Sequence, residues 1–387
     1  MAVSPEPPSP SWPQVAQDFD LPQQCTWLNS CGIAPMPRPV LAAVKAHLDA
    51  YAHRGIFAMR SEPELERAIA SRIEELLHAE AGSVAPIHHT TEGMTFVSLG
   101  LRLEAGARIA LMANEYPSNV YPWQHWEGKG VELATVADGP TPDAVLDSAR
   151  QTLTPNTRVL SVSAVHWCTG MPLPLEDLGA LCAERDVLFV VDGAQGVGHV
   201  PIDVAAQGIG VLAFSAWKWL MGPLGLGGLY IRPDLVDRLA FPFKGTGSVV
   251  DDQVYLPYRD AIKAGTSRYV LSTPSFTDWA HFDASLTYLR QLGLEAVRAR
   301  VQQLADHLAA GLKALGFTLA RDAFAPARSA IVAARHSRIE AKRWVELLAT
   351  RNIVTAERLG WLRMAPHVHL TEDDLDRVLQ TLAAMTE

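Results

Sequence analysis

The chain has 387 residues, of which 48% are hydrophobic and 19% are charged, so its composition excludes a largely disordered protein. Its 33 basic and 42 acidic side chains give a formal charge of −9 without a basic stripe, which argues against nucleic acid and favours small molecules and other subunits as partners. A chain of this length predicts two domains of unequal size.

The N-terminal segment and the cysteines bear on the compartment. Residues 1–24 are rich in proline and lack a basic region followed by an apolar run, so they predict an extended arm and no signal peptide. The cysteines have neither the paired spacing of a zinc site nor the density of a disulfide scaffold; they are Cys25, Cys31, Cys168 and Cys182. We expect reduced thiols, no metal site and a cytoplasmic protein.

Helical patterns alternate with short apolar runs from about residue 35 onward. Strands are predicted at residues 84–88, 108–113, 131–136, 158–165, 187–191, 211–215 and 226–231. Helices are predicted at residues 91–103, 118–127, 141–153 and 174–185, and apolar residues between 65 and 77 share one helical face. The alternation predicts an α/β fold with a mostly parallel, doubly wound, seven-stranded sheet. The apolar stretch 211–231 contains Lys218, Pro223 and several glycines, so no membrane span is expected there.

The pattern changes after residue 240. Residues 241–273 predict a long irregular segment, and loops of that length are usually functional. A long helix at 277–315, strands near Phe317 and at 330–333, a helix at 339–350, a strand at 359–364 and a helix at 372–386 follow. We therefore predict a large domain at residues 25–276 and a smaller α+β domain at residues 277–387.

Two strand ends carry candidate catalytic residues. One apolar strand ends in Asp192, followed by Gly193 and Gln195, and the next ends in Ser215, three residues before Lys218. Because ligands bind at the carboxyl ends of parallel strands, an acid and a lysine are expected in one crevice. Burial favours the neutral amine of lysine, which is the form that makes Schiff bases.

Other interpretations of these residues remain. A lone lysine in an apolar run is more often a surface residue whose stem is buried. The glycines from 193 to 198 follow the order G-x-x-G-x-G, which differs from the dinucleotide-binding motif G-x-G-x-x-G, and no helical pattern follows them. Thr90 and Thr91 follow a strand at the head of a helix, where they could bind a phosphate or cap the helix.

The segment VVDGAQ with the downstream KWLMGPLGLGGLYIR resembles the class V aminotransferase family of pyridoxal-phosphate enzymes, which includes cysteine desulfurases and proteins similar to isopenicillin N epimerase. The resemblance extends from LNSCGIAPMPRP to LRMAPHVHLTEDDLDRVL and implies the fold-type I architecture with pyridoxal 5′-phosphate as cofactor. It implies a Schiff base and proton transfer at Lys218, ring-nitrogen binding by Asp192 and a hydrogen bond from Gln195 to the phenolic oxygen. Phosphate binding is implied for Thr90, Thr91 and Ser215, and ring stacking for Tyr116, where desulfurases carry His.

The same resemblance implies substrate and subunit contacts. Arg363, in LRMAPH, matches a family arginine suited to bind the substrate α-carboxylate. Asn29, Gly32 and His166 are expected to line the same pocket, and Trp167 occupies a position where the family has Asn. Thr273, in STPSF, resembles a threonine that reaches the phosphate of the neighbouring subunit, which implies a homodimer with shared active sites.

The absence of one cysteine reduces the number of reactions that the resemblance allows. Desulfurases of this family use a cysteine shortly before the element that contains Arg363, and this chain has no cysteine after Cys182. A persulfide mechanism is therefore not expected, and elimination, transamination and epimerisation remain open. The desulfurase-like core without this cysteine most resembles a C–S lyase that acts on a cysteine derivative or cysteine sulfoxide by β-elimination, since a sulfenate leaves without a nucleophilic thiol. An aminotransferase, an isopenicillin N epimerase-like enzyme and a catalytically idle pyridoxal-phosphate sensor remain as alternatives.

Overall fold

The computed structural model describes residues 10–22, 25–58 and 62–386. Its strands are β1 (Thr26–Trp27), β2 (Val84–Ile87), β3 (Arg108–Met112), β4 (Glu132–Val136), β5 (Thr157–Ser163), β6 (Leu188–Asp192), β7 (Val211–Ser215), β8 (Gly227–Ile231), β9 (Thr318–Leu319), β10 (Val332–Arg335), β11 (Ile353–Val354), β12 (Ala356–Arg358) and β13 (Trp361–Met364). Its helices are α1 (Trp12–Ala16), α2 (Arg38–Arg54), α3 (Glu62–Leu77), α4 (Thr90–Gly100), α5 (Tyr121–Gln124), α6 (Pro142–Thr152), α7 (Leu175–Glu184), α8 (Pro233–Val236), α9 (Phe276–Leu292), α10 (Leu294–Ala314), α11 (Ala341–Ala349) and α12 (Glu372–Thr386).

The central element is a seven-stranded sheet with the order β2-β8-β7-β6-β5-β3-β4. Pairing is parallel from β4 through β3, β5 and β6 to β7, whereas β8 runs antiparallel to both β7 and β2. Helices α3, α4, α6 and α7 pack against its strands, and β2, β7 and β8 are buried at every residue. Strands covered in this way need no polar alternation, which explains their continuous apolar sequences. The predicted α/β sheet is confirmed, with strand ends within two residues of those expected.

The apolar stretch 211–231 forms two strands of this sheet, β7 and β8. Among the helices of the described residues, none is both long enough and apolar enough to cross a bilayer.

A second sheet lies near the C-terminus. Its four strands pair antiparallel in the order β12-β13-β10-β9, and α10 and α11 pack against it. A small parallel sheet joins β1 to β11, so that Thr26 pairs with Ile353. Helix α9 packs on α2 and α3, and the division of the chain at residue 276 stays a prediction.

Several predicted elements differ from those observed. The helix predicted at 277–315 is two helices, α9 and α10, because Gly293 between them has φ of +79°. The helix predicted at 118–127 is only α5 between two short 3₁₀ turns. Within the predicted extended arm, residues 12–16 form α1 with Val15 buried, and residues 1–9 and 23–24 lie outside the described residues. Residues 241–273 are irregular as predicted, with short 3₁₀ turns at 246–248 and 266–269.

Candidate active site

A cavity of about 560 Å³ lies where β6 and β7 end. Ten of the residues singled out from the sequence line it: Asn29, Gly32, Thr90, Thr91, Tyr116, Asp192, Gln195, Ser215, Lys218 and Arg363. The strand ends explain this arrangement, since Asp192 and Ser215 are the last residues of neighbouring parallel strands.

Asp192 and Lys218 form the charged centre of the cavity. The Asp192 side chain is almost fully buried, and its Oδ1 accepts a hydrogen bond of 2.8 Å from the Ala194 N–H. Lys218 Nζ makes no hydrogen bond within the described residues, and it lies 5.7 Å from the centre of the Tyr116 ring. Burial raises the pKa of Asp192, although the Ala194 N–H and the charge of Lys218 partly oppose this rise. Burial lowers the pKa of Lys218, although the charge of Asp192 partly opposes this fall. The Lys218 amine is therefore easier to deprotonate than a surface lysine.

The segment after Lys218 is fixed by buried aromatic packing. The Trp219 ring stacks on His199 with centroids 3.7 Å apart, and its Nε1 donates to Gln195 Oε1 at 3.2 Å. The Trp219 carbonyl accepts a hydrogen bond of 3.1 Å from His367 Nε2. On the same turn, the Met221 carbonyl accepts a 2.9 Å bond from Ser285 Oγ of α9. These contacts hold the backbone that carries Lys218.

Hydroxyl groups gather at the start of α4. His89 is the N-cap, accepting from the Glu92 N–H at 3.0 Å, so Thr90 and Thr91 are the first helical residues rather than caps. The Thr90 and Ser215 hydroxyls are 2.9 Å apart, and Thr91 Oγ1 donates to Ser118 Oγ at 2.8 Å. Hydroxyls beside free N–H groups at the positive end of a helix dipole suit a phosphate.

Aromatic rings line one side of the cavity. Tyr116 follows β3 and is 45% exposed, and the edge of its ring meets Trp167 with centroids 5.6 Å apart. Trp217, directly before Lys218, also lines the cavity. Tyr116 is therefore free to contact a flat ring near Lys218.

Gln195 is held by the protein at both ends of its amide. Its Nε2 donates to the Cys31 carbonyl at 2.9 Å, and its Oε1 accepts from Trp219. One amide hydrogen of Gln195 remains for a ligand, which is compatible with the expected hydrogen bond to a ring oxygen.

Arg363 extends from β13 toward the N-terminal segment of the chain. It is 2% exposed, its Nη1 donates to the Trp167 carbonyl at 2.5 Å, and its Nε is buried without a hydrogen-bond partner among the described residues. Asn29 forms a bridge with Ala365, two residues further on. A Cβ on Gly32 would come within 2.7 Å of Asn29 Nδ2, so any larger residue there would require the Asn29 side chain to shift. The geometry leaves Arg363 with unused donors in a buried position, as anion binding requires.

Two expected residues do not line this cavity. His166 is absent from the lining, and its Nδ1 accepts from the N–H groups of Cys168 and Thr169 in a tight turn. Its role in substrate binding stays a prediction. Thr273 is exposed and is not part of the cavity of its own chain. Its predicted role in a neighbouring subunit stays a prediction.

Three residues near the site were missed from the sequence. Cys31 and Arg358 line the cavity. Glu115, just before Tyr116, is 7% exposed, and its carboxylate oxygens accept from the Ser163 N–H at 2.6 Å and from Ser163 Oγ at 2.5 Å. Burial, with a smaller contribution from Asp192, raises the pKa of Glu115 to about 8, although the hydrogen bonds from Ser163 oppose the shift. The position of Glu115 just after a strand was the one signal that could have revealed it.

The amino-acid sequence matches the model of the Aminotransferase class-V family over residues 26–360. The chain belongs to this family. Among the relatives of this chain, a cysteine desulfurase of Klebsiella pneumoniae subsp. pneumoniae is 32% identical over 302 residues. The match covers 76% of this chain and 74% of the desulfurase. An uncharacterized aminotransferase of Bacillus subtilis, YcbU, is 26% identical over 378 residues, covering 96% of this chain and 98% of its own length.

Solved structures confirm the class-V fold. The apo cysteine desulfurase of Thermococcus onnurineus NA1 has a TM-score of 0.85 at 21% identity, covering 100% of this chain and 99% of its own. The cystine C–S lyase C-DES, solved with its reaction product cysteine persulfide, has a TM-score of 0.84 at 23% identity, covering 93% of this chain and 98% of its own. A C-DES variant carries glycine covalently linked to its pyridoxal-phosphate cofactor. The chain is thus a member of a family of pyridoxal-phosphate-dependent enzymes.

Proposed function

We propose that this chain binds pyridoxal 5′-phosphate and cleaves the C–S bond of a cysteine derivative or cysteine sulfoxide by β-elimination. The observation that carries the proposal is the position of Lys218 and Asp192 in one cavity at the carboxyl ends of β6 and β7. An amine with a lowered pKa beside a buried carboxylate is the pair that this cofactor requires.

The polar groups of the cavity fit the cofactor because several of them still lack partners. Among the described residues, Lys218 Nζ, one carboxylate oxygen of Asp192 and Arg363 Nε make no hydrogen bond. Asp192 would hold the proton of the ring nitrogen, Lys218 the aldehyde carbon, and Tyr116 one face of the ring. The phosphate would lie against Thr90, Thr91 and Ser215 at the N-terminus of α4.

The chemistry follows from these roles. When bound, pyridoxal phosphate supplies an electron sink for negative charge at the substrate Cα. Arg363 holds the substrate carboxylate by charge-assisted hydrogen bonds. Lys218 Nζ, whose pKa burial lowers, takes up the Cα proton as general base. The C–S bond then breaks, and its electron pair leaves on sulfur as a thiolate, persulfide or sulfenate, with pyruvate and ammonia as the other products after hydrolysis.

The absence of a cysteine at the position that desulfurases use supports a lyase. The segment from β11 to Arg363 contains no cysteine, so it offers no nucleophile at the position that desulfurases use. The similarity in fold to a cystine C–S lyase agrees with this choice. An aminotransferase is the second candidate, favoured by the resemblance to YcbU over 96% of the chain.

Product analysis tests the proposal. The purified protein with pyridoxal phosphate should release pyruvate and ammonia in equal amounts from S-substituted cysteines, cystine or cysteine sulfoxides. Lys218→Ala should abolish turnover and change the visible absorption of the cofactor, whereas Lys129→Ala, which removes an amine 4.4 Å from Trp126 outside the cavity, should change neither. Keto-acid-dependent amine transfer or inversion at Cα, without pyruvate from any of these substrates, would show an aminotransferase or an epimerase instead.

We also propose that the chain forms a homodimer with shared active sites. Thr273 is exposed and outside its own cavity. The irregular segment before it exposes large apolar side chains, namely Val250, Val254, Tyr255, Leu256 and Tyr258. Exposed apolar groups clustered in one segment support a contact with another chain.

A further inference from the structure

Three aromatic residues line the cavity and are here called the aromatic shelf: Tyr116, Trp167 and Trp217. The Tyr116 and Trp167 rings meet edge to face at 69°, with centroids 5.6 Å apart. Trp217 joins the shelf beside Lys218, and its carbonyl accepts a 2.9 Å bond from the Ala34 N–H. All three are partly exposed.

The shelf spans the place where an amino-acid substrate would bind. At one end, Tyr116 lies 5.7 Å from Lys218 Nζ. At the other end, the Trp167 carbonyl accepts the 2.5 Å bond from Arg363 Nη1. The proposed function assigns the substrate Cα proton to the neutral Lys218 amine and the substrate carboxylate to Arg363. Trp167, at the Arg363 end of the shelf, then lies beside the remaining substituent of Cα.

Hydrogen bonds hold the Trp167 ring of the shelf in place. The Trp167 indole N–H donates to the Asn114 carbonyl at 2.7 Å, and Asn114 Nδ2 donates to Asp138 Oδ2 at 2.6 Å. A ring that is already fixed loses little conformational entropy when a ligand packs on it. Planar or bulky apolar groups gain the most binding free energy from contact with such a surface.

The charges that face the cavity select against a cationic side chain. The charged residues of its lining are Lys218, Asp192, Arg358 and Arg363. The proposed function assigns Lys218 and Asp192 to the cofactor and Arg363 to the substrate carboxylate, so no carboxylate remains for an ammonium group among the described lining residues. A cation brought to the shelf would meet the like charge of Arg358.

We infer that the enzyme acts on an amino acid whose side chain ends in an uncharged aromatic group, such as an S-aryl cysteine, and that Trp167 is the main residue selecting it. This inference rests on the proposed function, since it takes the substrate position from Lys218 and Arg363.

Unreactive carbon analogues test the inference separately from the reaction. L-homophenylalanine, L-norvaline and L-lysine have the shapes of S-phenyl-, S-methyl- and S-aminoethylcysteine, and they lack a leaving group at Cβ. Binding to the enzyme with its cofactor is measured from the visible spectrum and from tryptophan fluorescence. We expect homophenylalanine to bind at least about tenfold more tightly than norvaline, as burial of a phenyl ring provides, and lysine to bind more weakly than norvaline.

Three variants assign the effect to the shelf. Trp167→Leu should remove most of the preference for homophenylalanine and leave norvaline binding within about twofold, whereas Trp167→Phe, which keeps a ring, should retain the preference. Trp361→Leu is the matched control, because Trp361 packs on Arg335 with 3.9 Å from the guanidinium carbon to its ring and does not line the cavity. Homophenylalanine binding within twofold of norvaline, or an equal loss in Trp361→Leu, would overturn the inference. If the wild-type enzyme shows no preference for homophenylalanine but releases pyruvate, the lyase proposal is supported and the inference about the shelf is wrong. If it shows the preference but releases no pyruvate, the inference about the shelf is supported and the lyase proposal is wrong.

Discussion

Cys31 places a thiol in the candidate active site, on the segment that follows β1. Its side chain is buried, and its Sγ is 3.8 Å from Asn29 Oδ1. Its backbone carbonyl is held by Gln195. The thiol is therefore part of a fixed wall, and its chemical role separates a lyase from a desulfurase.

We predict that Cys31→Ala keeps at least about half of the wild-type rate of pyruvate release, because β-elimination needs no thiol. Cys25→Ala is the matched control, since Cys25 is partly buried outside the cavity. Rates with saturating S-substituted cysteine and mass spectrometry of the intact protein provide the measurement. A persulfide on Cys31 in wild-type protein, together with alanine as product, would contradict the lyase.

Glu115 gives the stability of the fold a specific pH dependence. Its pKa is raised to about 8 by burial, above the usual value of 4.5, so the folded chain holds this proton more tightly than the unfolded chain. The associated stability is complete below about pH 4.5 and is lost as the pH rises toward 8.

We predict that Glu115→Gln gains stability relative to wild type as the pH rises from 5 to 8, by a few kcal/mol at most, since one pKa unit corresponds to about 1.4 kcal/mol. The neutral amide can still accept from the Ser163 N–H and donate to Ser163 Oγ. Urea unfolding at pH 5, 6, 7 and 8 measures the change, with the exposed Glu184→Gln as control. Parallel curves for wild type and Glu115→Gln would show that Glu115 is ionised throughout.

Residues at strand ends were the predictable part of the site. Asp192, Ser215 and Lys218 could be placed together because adjacent parallel strands end at the same edge of a sheet. Cys31 and Arg358 could not, because the segment after β1 and strand β12 are both far in sequence from the ends of β6 and β7. A local turn uses one ring nitrogen of His166, and the sequence alone does not reveal that hydrogen bond.

At the scale of elements, hydrophobic periodicity identified the strands of the central sheet. It did not predict strand direction or the end of a helix at a glycine with positive φ. The direction of β8 was not predicted, since apolar runs of parallel and antiparallel central strands look alike. The continuous helical pattern from 277 to 315 hid the break at Gly293, because a glycine inside a helical pattern is often tolerated.

We predict that Gly293→Ala destabilises the protein by about 1–2 kcal/mol, the usual cost of placing an L side chain at such a positive φ. Gly128→Ala is the control, because a Cβ there meets open space and Gly128 has an ordinary φ. Chemical denaturation of both variants gives the difference. An unchanged midpoint for Gly293→Ala would mean that α9 and α10 can join without strain.

At the scale of the whole molecule, the proposed homodimer would complete each cavity with Thr273 of the neighbouring chain. A single sequence could suggest this only by resemblance, because no intramolecular contact reports on a partner. Thr273 is exposed, so its replacement should cost little folding stability.

We predict that Thr273→Ala weakens cofactor binding at least about tenfold, as loss of a hydrogen bond to a charged group does. Mixing Thr273→Ala with Lys218→Ala chains should restore activity, because one site of each mixed dimer then has both residues. Pyruvate release and cofactor absorbance after mixing provide the measurement, with each variant alone as control. Activity that stays at the level of the separate variants would mean that Thr273 does not serve a neighbouring cavity.

The parallel pairing of β1 with β11 has a consequence for biosynthesis. Thr26 finds its partner Ile353 only after most of the chain has been translated, and Asn29 meets Ala365 later still. A nascent polypeptide that stops before β11 also lacks Arg363. The pocket can therefore close only when synthesis is nearly finished, and stable binding of the proposed vitamin-derived coenzyme would follow the emergence of the last strands from the ribosome.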